Sequence, residues 1–310
     1  MLLVVKSGGP RALKEWQDLF GQYHPELEVV EWDDPKADQA DYALVWEPDA
    51  GRFSQMPNLK IVMSAGAGVD HILTDTAYPR HVPMARMVPQ ETATIMSEFV
   101  LTMTMMLLTD VQAIITAQAQ KKWLRLPAAR GIGQTRIGVM GMGRMGAATA
   151  ALLQATGFEV AGWSNRPSDV AGVASYAGPE ALDAFLRRSD ILVCLLPQTA
   201  ATQGILCERT FSTLPAGASL INVGRGPHMV EADVIAALDS GQLHRAVLDV
   251  FNVEPLPETS ALWSHPGVIV TPHCAATPSR ADRVRYASML IETERRGEPL
   301  PHLYDWDRGY

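Results

Sequence analysis

From Arg136 to about Thr156 the chain reads as an apolar strand, then Gly141-Met-Gly143-Arg144-Met145-Gly146, then a helix of small and apolar residues. A strand that turns straight into a helix on three glycines belongs to a βαβ unit, because parallel strands need a crossover connection. Gly141 permits the tight turn, Gly143 lets the backbone approach a pyrophosphate, and Gly146 lets helix and strand pack closely. The amide hydrogens at the helix start then point at phosphate. Glycine turns are common in α/β proteins, so the pattern carries weight only because strand and helix flank it correctly. The implication is dinucleotide binding.

The next strand ends Val160-Ala-Gly-Trp163-Ser164-Asn165-Arg166. An NAD site places Asp or Glu about 20 residues beyond the glycines, on the ribose 2′-hydroxyl. Ser164 stands there instead. A carboxylate would repel a 2′-phosphate, whereas Ser164 and Asn165 can hydrogen-bond it and Arg166 can pair with it. NADP(H) is therefore preferred and NAD(H) remains usable; the alternative is that Arg166 is a solvated loop cation.

Short apolar runs alternate with amphipathic stretches along all 310 residues, the pattern of a parallel α/β architecture. Before residue 100 the expected strands are Leu2–Val5, Leu27–Glu31, Tyr42–Trp46, Lys60–Met63 and Val82–Met84. Beyond Gly133 six more are expected: Arg136–Met140, Glu159–Trp163, Ile191–Leu195, Ser219–Val223, Ala246–Val250 and Val268–Thr271. Between the two series, Thr94 to Gln118 reads as one helix of roughly 37 Å, apolar nearly all round its middle. It is either a bridging or interface helix or the core helix of one domain. Leu124–Gly133, with Pro127 and Gly131, reads as a connecting loop.

The formal net charge of −8 argues against a nucleic-acid binder, which needs a basic face. Three scattered cysteines with no CxxC pair suggest neither a disulfide framework nor a metal site, and fit a reducing, cytoplasmic compartment. The apolar start Met1–Val5 is too short for a signal-peptide core. The uncharged stretch Phe99–Thr109 is too short to cross a bilayer as a helix.

Three patches at later strand ends carry chemistry, where open α/β sheets bind ligands. In Asn222-Val223-Gly224-Arg225-Gly226, an arginine between glycines has a planar fork suited to a carboxylate or a polarised carbonyl. In Asp249-Val-Phe-Asn-Val-Glu254-Pro255 a carboxylate precedes a rigid turn. In Thr271-Pro272-His273-Cys274-Ala275 a histidine follows a strand. Each is ordinary alone: most lone histidines are satisfied core or surface residues. Together they supply what carbonyl reduction needs. His273 would donate the proton, Glu254 would hold it upright and raise its pKa, and Arg225 would neutralise the substrate.

With these motifs in view, the chain resembles the D-2-hydroxyacid dehydrogenase family, and within it the glyoxylate/hydroxypyruvate reductase A branch. The resemblance covers essentially the whole chain. It includes Trp46 after an early strand, Gly66-Ala-Gly-Val-Asp70, Trp163-Ser164 and the Asp-Arg-Gly-Tyr310 terminus. It implies two Rossmann-like domains: a flavodoxin-like substrate domain (1–98 plus 282–310) and an inserted doubly wound NAD(P)-binding domain (99–281), with the active site in a cleft closed by hinge motion. It also implies a homodimer and a small anionic 2-oxo or 2-hydroxy acid substrate.

The resemblance places the substrate carboxylate on the loop Ala65, Gly66, Ala67 and Gly68. It makes Trp46 a wall favouring small substrates, although a buried strand tryptophan would read the same way. Around the cofactor it implies Gly141, Gly143, Arg144, Met145, Gly146, Leu195, Pro197, Thr199, Thr202, Val223, Gly224 and Ala275, and it sets Asp249 against the nicotinamide amide. The branch usually has arginine directly after Trp-Ser, where Asn165 stands here. The rivals are a cofactor-sensing corepressor on the same fold and another substrate. Formate members carry glutamine in place of Glu254, which disfavours formate.

Overall fold

Alternate residues of each strand belong to opposite faces of its sheet, and both faces are covered. The computed structural model describes residues 1–127, 130–307 and 309. Ala128 and Ala129 of the expected connecting loop, and Arg308 and Tyr310 of the terminal motif, lie outside the described residues. The chain divides into two compact units, residues 1–91 with 277–310, and residues 92–276.

The first unit begins with β1 (Leu2–Lys6), α1 (Leu13–Tyr23), β2 (Glu28–Glu31), β3 (Tyr42–Val45), β4 (Ile61–Ser64), α2 (Asp70–Leu73) and β5 (Met84–Ala85). All five strands are parallel, in the order β2-β1-β3-β4-β5, the flavodoxin-like arrangement. Burial on both sides explains why β3 and β4 read as unbroken apolar runs. Leu3, Tyr42, Leu44, Ile61 and Met63 pack one way with Trp16 and Phe20 of α1. Val4, Ala43, Val45 and Val62 pack the other way with Phe53 and Ile72.

The second unit contains α3 (Gln90–Leu108, which starts at the boundary), α4 (Val111–Ala119), β6 (Arg136–Met140), α5 (Arg144–Ala155), β7 (Glu159–Ser164), β8 (Ala174–Ala177), α6 (Leu182–Arg187), β9 (Ile191–Cys194), α7 (Glu208–Thr213), β10 (Ala218–Asn222), α8 (Glu231–Asp239), β11 (Leu243–Leu248) and β12 (Val268–Val270). The chain then returns to the first unit for α9 (Arg280–Arg295), which packs on α1. The sheet order is β12-β11-β10-β9-β6-β7-β8, a doubly wound sheet with one strand added at an edge.

Three expectations need correction. The second sheet has seven strands among the described residues, not six. β8 escaped notice because Ala-Ser-Tyr-Ala pairs with β7 as an edge strand with two exposed and two half-buried residues, so no apolar run marks it. The single helix from Thr94 to Gln118 is two helices. Asp110 adopts left-handed dihedrals (φ 47°) at the break, and its carboxylate is held 2.9 Å from the Arg245 guanidinium. The expected domain cuts at 98/99 and 281/282 fall within α3 and α9, whereas the contacts divide at Glu91/Thr92 and Ala276/Thr277.

By length and composition α3 could cross a membrane. Its Met96, Val100 and Leu107 instead pack with Ile137, Val139, Val193 and Ile221 of the sheet, which makes it a core helix of the second unit.

Candidate active site

Candidate residues occur in both units. In the second they follow the carboxyl ends of β6, β9, β10, β11 and β12, and the three-glycine turn sits where the strand order reverses, between β9 and β7. Gly141 has φ +95°, and a Cβ there would lie 2.6 Å from the Leu195 carbonyl oxygen. A Cβ on Gly146 would lie 1.8 Å from the Gly141 carbonyl oxygen. A Cβ on Gly143, by contrast, would meet nothing within 4 Å. Two glycines are thus required by the protein's own packing, and the third leaves open space at the start of α5, where no side chain caps the helix. That is the cradle a pyrophosphate needs. Arg144 and Met145 form the first turn of α5.

At the end of β7, Asn165 and Arg166 are exposed. The Ser164 hydroxyl donates to the Arg166 carbonyl at 2.6 Å, so Ser164 spends its proton shaping the loop that carries Arg166. After β9, Leu195 N–H donates to Met140 O, tying this loop to the glycine turn. Thr202 is buried, its Oγ1 2.8 Å from Pro197 O and accepting from Thr199 N–H at 2.9 Å. Val223 and Ala275 are buried beneath the same end of the sheet.

Arg225 leaves β10 through Gly224, and its Nη1 donates to Gly224 O at 2.7 Å. His273 Nδ1 lies 2.7 Å from Glu254 Oε2, and Phe251 N–H donates to Glu254 Oε1 at 2.9 Å. Burial pushes the Glu254 carboxyl up. The hydrogen bonds from His273 and Phe251, with the positive charges of His273 and Arg225, outweigh burial and hold it below its ordinary value. The three sequence-predicted catalytic side chains therefore form one electrostatic group within the second unit.

Asp249 is 1% exposed. Its oxygens accept from Thr271 Oγ1 (2.6 Å), Cys274 N–H (3.0 Å) and Ala275 N–H (3.0 Å). His273 N–H donates to the Asp249 carbonyl at 2.8 Å. These bonds hold the turn in which His273 has φ +49°, a rare conformation for a non-glycine residue. Asp249 builds the histidine turn, a task the sequence did not disclose. Burial and the neighbouring Asp249 raise the Cys274 thiol above its usual range, which leaves it a poor nucleophile.

Sequence reasoning also missed His228. Buried completely, it accepts Arg225 N–H on Nδ1 at 3.0 Å, which assigns the proton to Nε2, 3.2 Å from Pro197 O. It ties the Arg225 and Pro197 loops together. The available signal was its position three residues after Arg225.

In the first unit the loop Ala65–Gly68 follows β4. Ala65 N–H completes the ladder to Val45 O at 2.8 Å. Gly66 N–H donates to Ser64 Oγ at 3.2 Å, and Ser64 Oγ donates to Gly68 O at 2.6 Å. Arg86 Nε braces Ala67 O at 2.9 Å. Trp46 closes on this loop so tightly that a Cβ on Gly66 would lie 2.8 Å from the indole. Ser64 and His71, whose Nε2 is 3.0 Å from Ser64 Oγ, are further residues that sequence reasoning missed.

Residues 101–275 match the family described as D-isomer specific 2-hydroxyacid dehydrogenase, NAD binding domain. The chain is 39% identical over 300 residues to glyoxylate/hydroxypyruvate reductase A of Salmonella newport (strain SL254), covering 95% of this chain and 96% of that protein. It is similar to the D-isomer specific 2-hydroxyacid dehydrogenase of Xanthobacter autotrophicus Py2 in complex with NADPH and MES, at 37% identity and TM-score 0.92, covering 100% of this chain and 99% of that one. It is also similar to the NADPH-dependent glyoxylate/hydroxypyruvate reductase of Sinorhizobium meliloti in complex with NADP and sulfate, at 37% identity and TM-score 0.91, with the same coverage. With a glycine turn shaped for pyrophosphate and an Arg–Glu–His group beside it, the chain belongs to the D-isomer specific 2-hydroxyacid dehydrogenase family.

Proposed function

We propose that this chain is an NADPH-dependent reductase of small 2-oxo acids, turning glyoxylate into glycolate and hydroxypyruvate into D-glycerate. The observation that carries the reading is the 2.7 Å Glu254–His273 pair, electrostatically coupled to Arg225 on the sheet that holds the glycine turn. The relatives named for this activity match along nearly their full length.

The cofactor, when bound, supplies a hydride to C2 of the oxo acid. The chain's own residues do the rest. The Ala67 and Gly68 amides hold the substrate carboxylate, since that of Ala65 is already engaged with Val45 O and that of Gly66 with Ser64 Oγ. Arg225 offsets the charge that gathers on the carbonyl oxygen. Glu254 fixes His273 through Nδ1, so Nε2 is the nitrogen that delivers the proton to that oxygen. Oxidation of NADPH, followed spectrophotometrically with glyoxylate, hydroxypyruvate and pyruvate, tests the reading; no turnover with any of them overturns it.

The exposed Asn165 and Arg166 carry the preference for NADPH over NADH, with Arg166 paired to the 2′-phosphate. Arg166→Ala is expected to weaken NADPH binding about tenfold or more, as a charge-assisted hydrogen bond of ~1.5–3 kcal/mol is removed. NADH binding stays nearly unchanged. Equal losses for both cofactors, measured by fluorescence titration, would detach Arg166 from the phosphate.

The working form is a homodimer. Ile114, Ile115 and Leu124 are about half exposed and Trp123 is 93% exposed, apolar groups that a partner would cover. Light scattering should return twice the 33.8 kDa chain mass. The enzyme resides in the cytoplasm, consistent with three free cysteines, of which the buried Cys194 has its thiol pushed up to about 12.

A further inference from the structure

Arg225 can offset charge on a carbonyl oxygen only while its main chain is fixed, and one imidazole does much of the fixing. Gly226–His228 form a single 3-10 turn directly after Arg225. The third residue of a helical start is where Glu or Gln reaches back to the N–H of the capping residue. His228 takes that place, with Nδ1 accepting Arg225 N–H at 3.0 Å. The ring packs against Gly224 so closely that a Cβ there would lie 2.8 Å from Nδ1. Asn222 Nδ2 and His228 N–H both donate to Arg225 O, so both main-chain polar groups of Arg225 are held.

The second ring nitrogen faces the cofactor loop. With Nδ1 accepting, Nε2 carries the proton, and it lies 3.2 Å from Pro197 O. Pro197 O also accepts from Thr202 Oγ1 at 2.8 Å. Two residues earlier, Leu195 N–H donates to the carbonyl of Met140, which precedes the glycine turn. A continuous chain of contacts therefore runs from the glycine turn, through the loop after β9, to the arginine. Main-chain bonds from Gly204 N–H to Pro227 O (2.9 Å) and from Leu206 N–H to His228 O (2.8 Å) hold the turn without the imidazole.

We propose that His228 is a positioning residue that couples the cofactor loop to Arg225, so that seating the cofactor aims the guanidinium at the 2-oxo acid. The inference rests on the proposed reductase reading. His228 is completely buried and acts through Arg225, touching no reacting atom. Such coupling is reciprocal: what NADPH adds to substrate affinity through His228, substrate adds to NADPH affinity.

The test uses the full-length enzyme with glyoxylate as substrate and oxamate as an unreactive isostere of a 2-oxo acid. His228→Asn keeps an acceptor for Arg225 N–H but ends short of Pro197. It should hold kcat near wild type, raise KM about fivefold, and remove most of the tightening of oxamate by NADPH in isothermal titration. His228→Leu loses both bonds and should also lower kcat at least about tenfold, because a slightly misplaced catalytic group loses much of its effect. His228→Gln can make both bonds and should restore wild-type values. In an Arg225→Ala background, His228→Leu should cost less than about twofold more, since residues that act as one unit are not additive. Cooperative thermal melts report that each variant is folded. Wild-type kcat and KM in folded His228→Leu, or full additivity with Arg225→Ala, overturns the positioning role. Oxamate coupling as large in His228→Asn as in the wild type overturns the link through Pro197. Wild-type enzyme inactive on every 2-oxo acid would overturn the reductase reading and this inference with it.

Discussion

His273→Ala lowers kcat for glyoxylate about 10²–10⁴-fold while NADPH binds as before. A positioned acid contributes on that scale, and the side chain has no part in the glycine turn, whose shape depends on Gly141 and Gly146. The backbone need not move, because Asp249 fixes the turn through main-chain donors rather than through the imidazole. Near-normal kcat in the variant would remove His273 from the chemistry.

The pH response has a definite sign. Glu254 is held below its ordinary value of 4.5, so it gains from folding above the unfolded value and loses that gain only as pH falls through the lower folded one. Acid inactivation through Glu254 therefore belongs below 4.5. In His273→Ala the hydrogen bond that chiefly opposes burial disappears, so the folded and unfolded values of Glu254 converge and the acid loss of stability between them should shrink. Thermal melts of both proteins between pH 3 and 7 read this change; an acid loss as deep in the variant as in the wild type would show that the pair is not coupled.

Gly146→Ala is expected to weaken NADPH binding about 10–100-fold. The added methyl would sit 1.8 Å from the Gly141 carbonyl oxygen, a backbone atom that cannot swing aside. Overpacking of this kind costs ~1–3 kcal/mol, which is one to two decades in affinity when it displaces the phosphate loop. Gly143→Ala tests the other half of the argument. Its Cβ meets no protein atom within 4 Å, so the chain folds normally and any loss is read only in cofactor affinity. If isothermal titration gave wild-type affinity for Gly146→Ala, the turn would not be the cofactor's cradle.

Much of this was legible before any coordinates. The strand–glycine–helix pattern determines a parallel doubly wound sheet, because three glycines at that spacing answer to steric demands local to one turn. The alternation of apolar runs likewise determines a second α/β unit, since a strand buried on both faces must be apolar throughout. Arg225, Glu254 and His273 were identifiable because each stands just beyond an apolar run, where strand ends carry chemistry.

What the sequence could not disclose was every feature that depends on partners distant along the chain. β8 has too little apolar character to announce itself and exists by pairing with β7. The break at Asp110 is held by Arg245, 135 residues away. Asp249 could not be recognised as the builder of the histidine turn, nor His228 and His71 as braces, because a hydrogen bond between loops leaves no period or spacing in the chain. Local sterics and burial write themselves into sequence pattern; polar contacts between separate strand ends are decided only when the sheet brings those ends together.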